Sequence, residues 1–326
     1  MKNHTLILKW ATHYLLSKGY SLLHSPEIML ETPWSNVIRF STSKGYIYLK
    51  QPAPSISQES KIIQLLADKF HASVPIVIAI NDKLHCFLMK DAGQSLREYL
   101  KHELQTNLLC QAIKQYTSMQ RSTENHIESL LALGVPDWRL DKLSKLYDQI
   151  INQEEFLKAD GMTDKELRSV HDLSPQISAE FKLLSQYNIP ETIVQSDFHS
   201  NNILINPSTQ KLTFIDLGEI VITHPFFSLH TFLRQGITHH GVKEQDQTYQ
   251  QLQGSCCENW LDLAAKDKLL EGFLLAKKLW PIYSALVHYR IMNSLDLQAF
   301  KSFYANKPNH RLANFFREYT ESHLNF

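Results

Sequence analysis

The sequence predicts an α+β fold in which a small antiparallel sheet precedes a larger, mostly helical part. Residues 28–50 hold three short strand-like runs, IMLE, NVIRF and YIYLK, separated by the turn-forming TPWS and STSKG. Two further strand signals, VPIVIAI and LHCFLM, flank the turn NDK before residue 90. From Ser95 onward apolar residues recur at helical spacing, with one β-rich interruption at 193–216.

Each element follows from its pattern. Leu6, Ile7, Trp10, Ala11, Tyr14 and Leu15 fall on one face, predicting a helix over 5–18 with Thr5 as N-cap and Gly19 past its end. SQESKIIQLLADKF predicts a second helix, its inner side marked by Ile62, Ile63, Leu65, Leu66 and Phe70, with Ser57 placed to cap it. Further helical periods lie near 95–103, 106–120, 138–158 and 163–187, and several follow 226. The expected division is a sheet-bearing lobe over 1–90 and a helical lobe over 91–326.

Composition narrows the classes. The 326 residues are 43% hydrophobic and 20% charged, an ordinary globular balance with enough chain for a bilobal core. Lys plus Arg equals Asp plus Glu at 33 each, so no net field favours nucleic acid or an anionic membrane as partner. The adjacent Cys256 and Cys257 form no CxxC motif, and Cys86 and Cys110 stand apart, which fits a reduced, cytoplasmic setting. The densest histidines, His224, His230, His239 and His240, lack a metal-ligand spacing. The N-terminal MKNHTLILKWATHYLL is too polar for a secretory leader, and no segment approaches the roughly 18 apolar residues of a membrane span.

The chemistry concentrates in VQSDFHSNNILIN at 194–206 and KLTFIDLGE at 211–219. A hairpin-like return would bring Asp197, Asn202 and Asp216 to one end of two short strands. Two carboxylates and an amide oxygen are hard ligands suited to Mg²⁺, with water and phosphate completing the shell. This is the arrangement of kinases: an Asp base, an Asn ligand five residues on, and a second Asp on the metal. Lys50 ends the third predicted strand and Glu59 lies in the first turn of the next helix, where an ion pair would hold Lys50 on phosphates.

SDFHSNNIL with FIDLGE resembles the aminoglycoside phosphotransferase and choline kinase family, which has a protein-kinase-like bilobal fold with ATP bound between lobes. His199, two residues after Asp197, is similar to that family and unlike protein kinases, and no APE-like sequence follows Asp216. The resemblance implies transfer of the ATP γ-phosphoryl group to a hydroxyl of a small molecule: an aminoglycoside, choline, ethanolamine, homoserine or another sugar or amino alcohol. It implies Asp197 as the base, Asn202 and Asp216 as Mg²⁺ ligands, and Lys50 braced by Glu59. CFLMKDAGQSL resembles the link between lobes, with Met89 behind the adenine and the Lys90 carbonyl and Ala92 N–H at its edge. In the glycine-free nucleotide loop, Ser35 and Asn36 would bond phosphate through side chain or backbone.

Three positions depart from the family pattern: Gln195 and Ser196 replace its usual His and Gly, and Ser228 replaces an Asp that braces the catalytic loop. They support a rival reading, a catalytically silent nucleotide-binding scaffold. Acceptor contacts would come from helices after 226, where Glu244, Asp246, Glu258, Trp260, Asp262, Trp280 and Tyr283 are candidates and the two tryptophans read first as core. Neither the acceptor, the choice of ATP over GTP, nor the oligomeric state is specified by the sequence.

Overall fold

The computed structural model describes residues 4–293 and 312–324. Backbone contacts divide the chain into two compact units: one runs to Leu100 and takes in Asn201–Glu219, the other comprises Lys101–Ser200 and the chain from Ile220. Residues 91–100 and 201–219, grouped with the helices by the sequence boundary near 90, thus belong to the sheet unit.

In the sheet unit, α1 (His4–Ser17) precedes β1 (Glu27–Glu31), β2 (Ser35–Thr42) and β3 (Gly45–Pro52), followed by α2 (Glu59–Phe70), β4 (Val77–Asn81) and β5 (Cys86–Lys90). These strands pair antiparallel in the order β1-β2-β3-β5-β4, as expected. Ile7, Ala11 and Leu15, spaced by four on α1, pack on Ile38, Phe40, Ile47 and Leu49 from one face of the pleat. The cap of α2 differs from expectation. Gln58 holds that position with no side-chain capping bond, and Ser57 Oγ donates to the Pro54 carbonyl at 2.9 Å.

Beyond β5 come β6 (Gln94–Ser95) and the single turn α3 (Leu96–Tyr99), all that forms of the helix expected over 95–103. The chain enters the helical unit through α4 (Thr106–Thr123), α5 (Ile127–Leu131), α6 (Leu140–Ile151), α7 (Glu154–Ala159), α8 (Asp164–Asp172) and α9 (Ser174–Ser185). The long helices expected over 138–158 and 163–187 are therefore each broken. Pro175, in the first turn of α9, has no N–H to continue a preceding helix and starts a new one.

β7 (Thr192–Val194) pairs antiparallel with β10 (Val221–Thr223) in the helical unit, a strand too short to show a period in sequence. β8 (Ile203–Ile205) and β9 (Leu212–Phe214) form a hairpin in the sheet unit, with β6 against β8. The two apolar runs that flank the polar loop at 195–202 thus belong to different sheets. The helical unit continues with α10 (Phe226–His240), α11 (Gln247–Glu258), α12 (Lys266–Asn293) and α13 (Leu312–Leu324). Trp260 at 0%, Tyr283 at 1% and Trp280 at 9% exposure are core residues there. No helix among the described residues is long and apolar enough to cross a membrane.

Candidate active site

Strand alternation turns Lys50 of β3 inward, and the first turn of α2 presents Glu59 to it. The Lys50 ammonium lies 2.7 Å from Glu59 Oε1 and 2.6 Å from Asp216 Oδ1. Burial works against the Lys50 charge, but Asp216 and Glu59 outweigh it and hold its pKa above the ordinary lysine value. Burial also holds Glu59 above the usual carboxylate range, with the Lys50 ammonium pulling the other way. The Leu217 N–H adds a 3.2 Å bond to the Oε1 that Lys50 occupies. A lysine fixed by two carboxylates in a buried site is a pre-oriented cation for an anionic ligand.

The β8–β9 hairpin sets Asn202 and Asp216. Its ladder closes at Ile203 opposite Phe214, and the Ile215 N–H donates to the Asn202 carbonyl at 3.0 Å. Both residues therefore emerge at the same end of the hairpin, as the sequence spacing predicts. Asp216 adopts φ 63, the left-handed region that Asp tolerates better than most residues and where strain accompanies functional positions.

These side chains open on a cavity of about 410 Å³ within the sheet unit. Leu30, Val37, Leu204 and Ile215 give it apolar walls, and Ser35, Lys50, Glu59, Met89, Lys90, Ala92, Asn202 and Asp216 all line it. Ser35 Oγ is buried and has no hydrogen-bond partner, and the Ala92 N–H finds no acceptor among the described residues. Asn36 does not line this cavity. Ser35 and Val37 face the cavity and the intervening residue points away, so Asn36 is fully buried and donates to Gln51 Oε1 at 3.0 Å. Gly93 allows the chain to pass β8: its φ is 115, and a Cβ there would sit 2.1 Å from the Ile205 carbonyl oxygen.

Asp197 lies in the helical unit, on the loop after β7. Its side chain is 56% exposed, and Oδ1 is 3.0 Å from His199 Nε2. Around it stand contacts that the sequence did not foretell. The Gln195 N–H donates to Tyr116 Oη at 2.8 Å, and Ser200 Oγ meets His240 Nε2 at 2.8 Å. Tyr116 and Gln120 share a face of α4 at i and i+4, a spacing that marks ordinary helix core and carries no signal of loop contact.

An antiparallel sheet whose inward lysine meets an acid from the next helix and a second acid from a hairpin end defines a protein-kinase-like fold. The phosphotransferase enzyme family model matches residues 30–265, and the chain belongs to that family. Solved structures agree in fold. An ethanolamine kinase of Plasmodium vivax is 13% identical, with a TM-score of 0.60, covering 91% of this chain and 81% of its own. The choline kinase LicA from Streptococcus pneumoniae is 12% identical with a TM-score of 0.59, covering 99% of this chain and 100% of its own. APH(2")-IIia, solved as a GDP and kanamycin complex, is 16% identical with a TM-score of 0.58, covering 97% and 99%. No curated protein matches the chain in sequence.

Proposed function

We propose that this chain transfers the γ-phosphoryl group of ATP to a hydroxyl of a small molecule. The observation that carries the reading is the buried Lys50, held at 2.7 Å by Glu59 and 2.6 Å by Asp216 on the wall of a cavity that Asn202 also lines. Family membership supports the reaction class. Lys50 neutralises α- and β-phosphate charge, Ser35 Oγ gives a phosphate oxygen the bond it lacks, and the adenine lies against Met89 with its edge on the Lys90 carbonyl and Ala92 N–H. Asp197 orients the acceptor hydroxyl and takes its proton.

Asn202 and Asp216 fit a hard divalent ion. Among the described residues no three His, Cys, Asp or Glu side chains converge, so an ion here would draw its remaining ligands from water and phosphate, the usual manner of Mg²⁺. When bound, Mg²⁺ supplies charge neutralisation across the phosphate oxygens.

The acceptor is a sugar or amino alcohol. Three of the acids proposed as its walls are engaged in ion pairs: Glu244 with Lys277 at 2.8 Å, Glu258 with Lys114 at 2.8 Å and Asp262 with Arg121 at 2.6 Å. Each pair offsets one of the negative charges that a cationic acceptor would meet there. The test is a thermal-shift titration with ATP and GTP, with and without Mg²⁺, followed by ADP formation against kanamycin, choline, ethanolamine and homoserine. Nucleotide binding with turnover of one acceptor is expected. Asp197→Ala and Asp216→Ala should abolish it, and Asp216→Ala should also weaken Mg²⁺-dependent binding; wild-type rates in both variants would overturn the roles.

A second reading, a silent nucleotide-binding scaffold, draws on Gln195, Ser196 and Ser228. Nucleotide-dependent stabilisation with no turnover of any acceptor would favour it.

A further inference from the structure

We propose that Tyr116 is the positioning residue that holds Asp197 in place, in the absence of the His, Gly and Asp this loop lacks at 195, 196 and 228; the inference rests on the catalytic role proposed for Asp197. Tyr116 is 1% exposed and touches the chain on both sides of that residue. Its Oη accepts the Gln195 N–H at 2.8 Å, two residues before Asp197. Its ring stacks on Phe198, one residue after, with centroids 3.8 Å apart and planes 16° from parallel. Phe198 stacks in turn on Phe232 of α10 at 4.8 Å, so the ring that anchors the loop is itself held.

A polar layer completes the clamp. Burial pushes the Tyr116 phenol up to about 12, so it stays a neutral hydroxyl through the physiological range. Ser228 Oγ donates to the Pro225 carbonyl at 3.1 Å. One turn along α4, Gln120 Nε2 lies 2.9 Å from the Ile193 carbonyl, 3.2 Å from that of Pro225 and 3.3 Å from Ser228 Oγ. Two side chains of one helix face thus tie β7, the start of α10 and the loop into one buried network. A main-chain N–H and an aromatic stack fix the backbone at 195 and 198, which leaves the Asp197 carboxylate with a set origin and its exposed end turned to solvent.

Tyr116→Phe separates the two contacts, because it keeps the ring and removes Oη. Amide exchange at 194–198 should quicken at least about tenfold, while the 47–50 segment of the sheet unit keeps its protection. With the acceptor found by the panel above, kcat should fall about tenfold, equivalent to about 1.4 kcal/mol, at an unchanged KM for ATP. Unchanged exchange, or faster exchange with kcat within about twofold of wild type, overturns the proposal, and so does a lower melting temperature with kcat intact. Phe198→Leu removes the stack alone, is judged by the same outcomes, and serves if Tyr116→Phe does not fold. If the wild-type protein transfers phosphate to no acceptor, the proposed function fails, and the exchange measurement still decides whether Tyr116 clamps the loop.

Discussion

At Lys50, stability and chemistry meet in one side chain. It is 6% exposed and Glu59 is 1% exposed, so removing the ammonium strands a carboxylate in a site where burial already disfavours its charge. Lys50→Met should therefore abolish phosphoryl transfer and also destabilise the fold by about 3 kcal/mol near neutral pH. The sign of the pH dependence is fixed by Glu59. Its folded pKa is raised, and losing Lys50 raises it further, so the folded variant holds a proton that the unfolded chain gives up near ~4.3. Relative to wild type, urea unfolding of the variant should show the least destabilisation at acid pH and a growing one as pH rises through the folded Glu59 pKa; equal destabilisation at pH 5 and pH 8 would contradict it.

Among elements, the passage of the chain into β6 beside β8 is the tightest constraint. Gly93→Ala combines a left-handed φ of 115 with a Cβ 2.1 Å from a backbone oxygen that has no flexible end to yield. It should cost more than about 2 kcal/mol, read as a fall in melting temperature, whereas Gly45→Ala, with φ 95 and nothing within 4 Å, should cost less. Elements were legible where their signal is local. Alternation in β2 and β3 and the four-residue spacing of α1 specify strands, helix and the inward side of each. Partnership is local only at short range: the close spacing of ILI and LTF already points to the β8–β9 hairpin, whereas nothing in TIV says that β7 joins β10. The same limit applies to Asn36, whose side of the pleat depends on where β2 begins. Lys50, Glu59, Asn202 and Asp216 could be read because their spacing along the chain is characteristic, whereas Tyr116 and Gln120 act through contacts whose partners lie some seventy residues away.

For the molecule as a whole, acid is the informative perturbation, because it loads protons onto groups that the fold keeps neutral. Burial holds His224 and His230 of the helical unit at about 3, far below the ordinary histidine value. His224 stands edge-on to Phe226 with centroids 5.1 Å apart. His230 lies 4.0 Å from the Phe273 ring, its Nε2 is 2.8 Å from the Phe273 carbonyl, and the nearby Lys277 charge opposes a second positive charge. Since the folded pKa values are depressed, the unfolded chain binds more protons as pH drops below ~6.5, and stability falls from there. Glu166, held to about 2 mainly by Arg317, contributes in the same direction, but only below ~4.3, where the unfolded glutamate titrates. Between about pH 6.5 and 4.5 Glu166 is silent, and Glu59 and Glu191, which burial raises, oppose the histidines, so the histidine contribution is read from the substitution. Unfolding free energy should drop by about 1 kcal/mol per histidine on going from pH 7 to pH 5.5, and His230→Gln should remove roughly half of that slope. A slope untouched by the substitution would mean that the His230 ring is not held neutral in the folded protein.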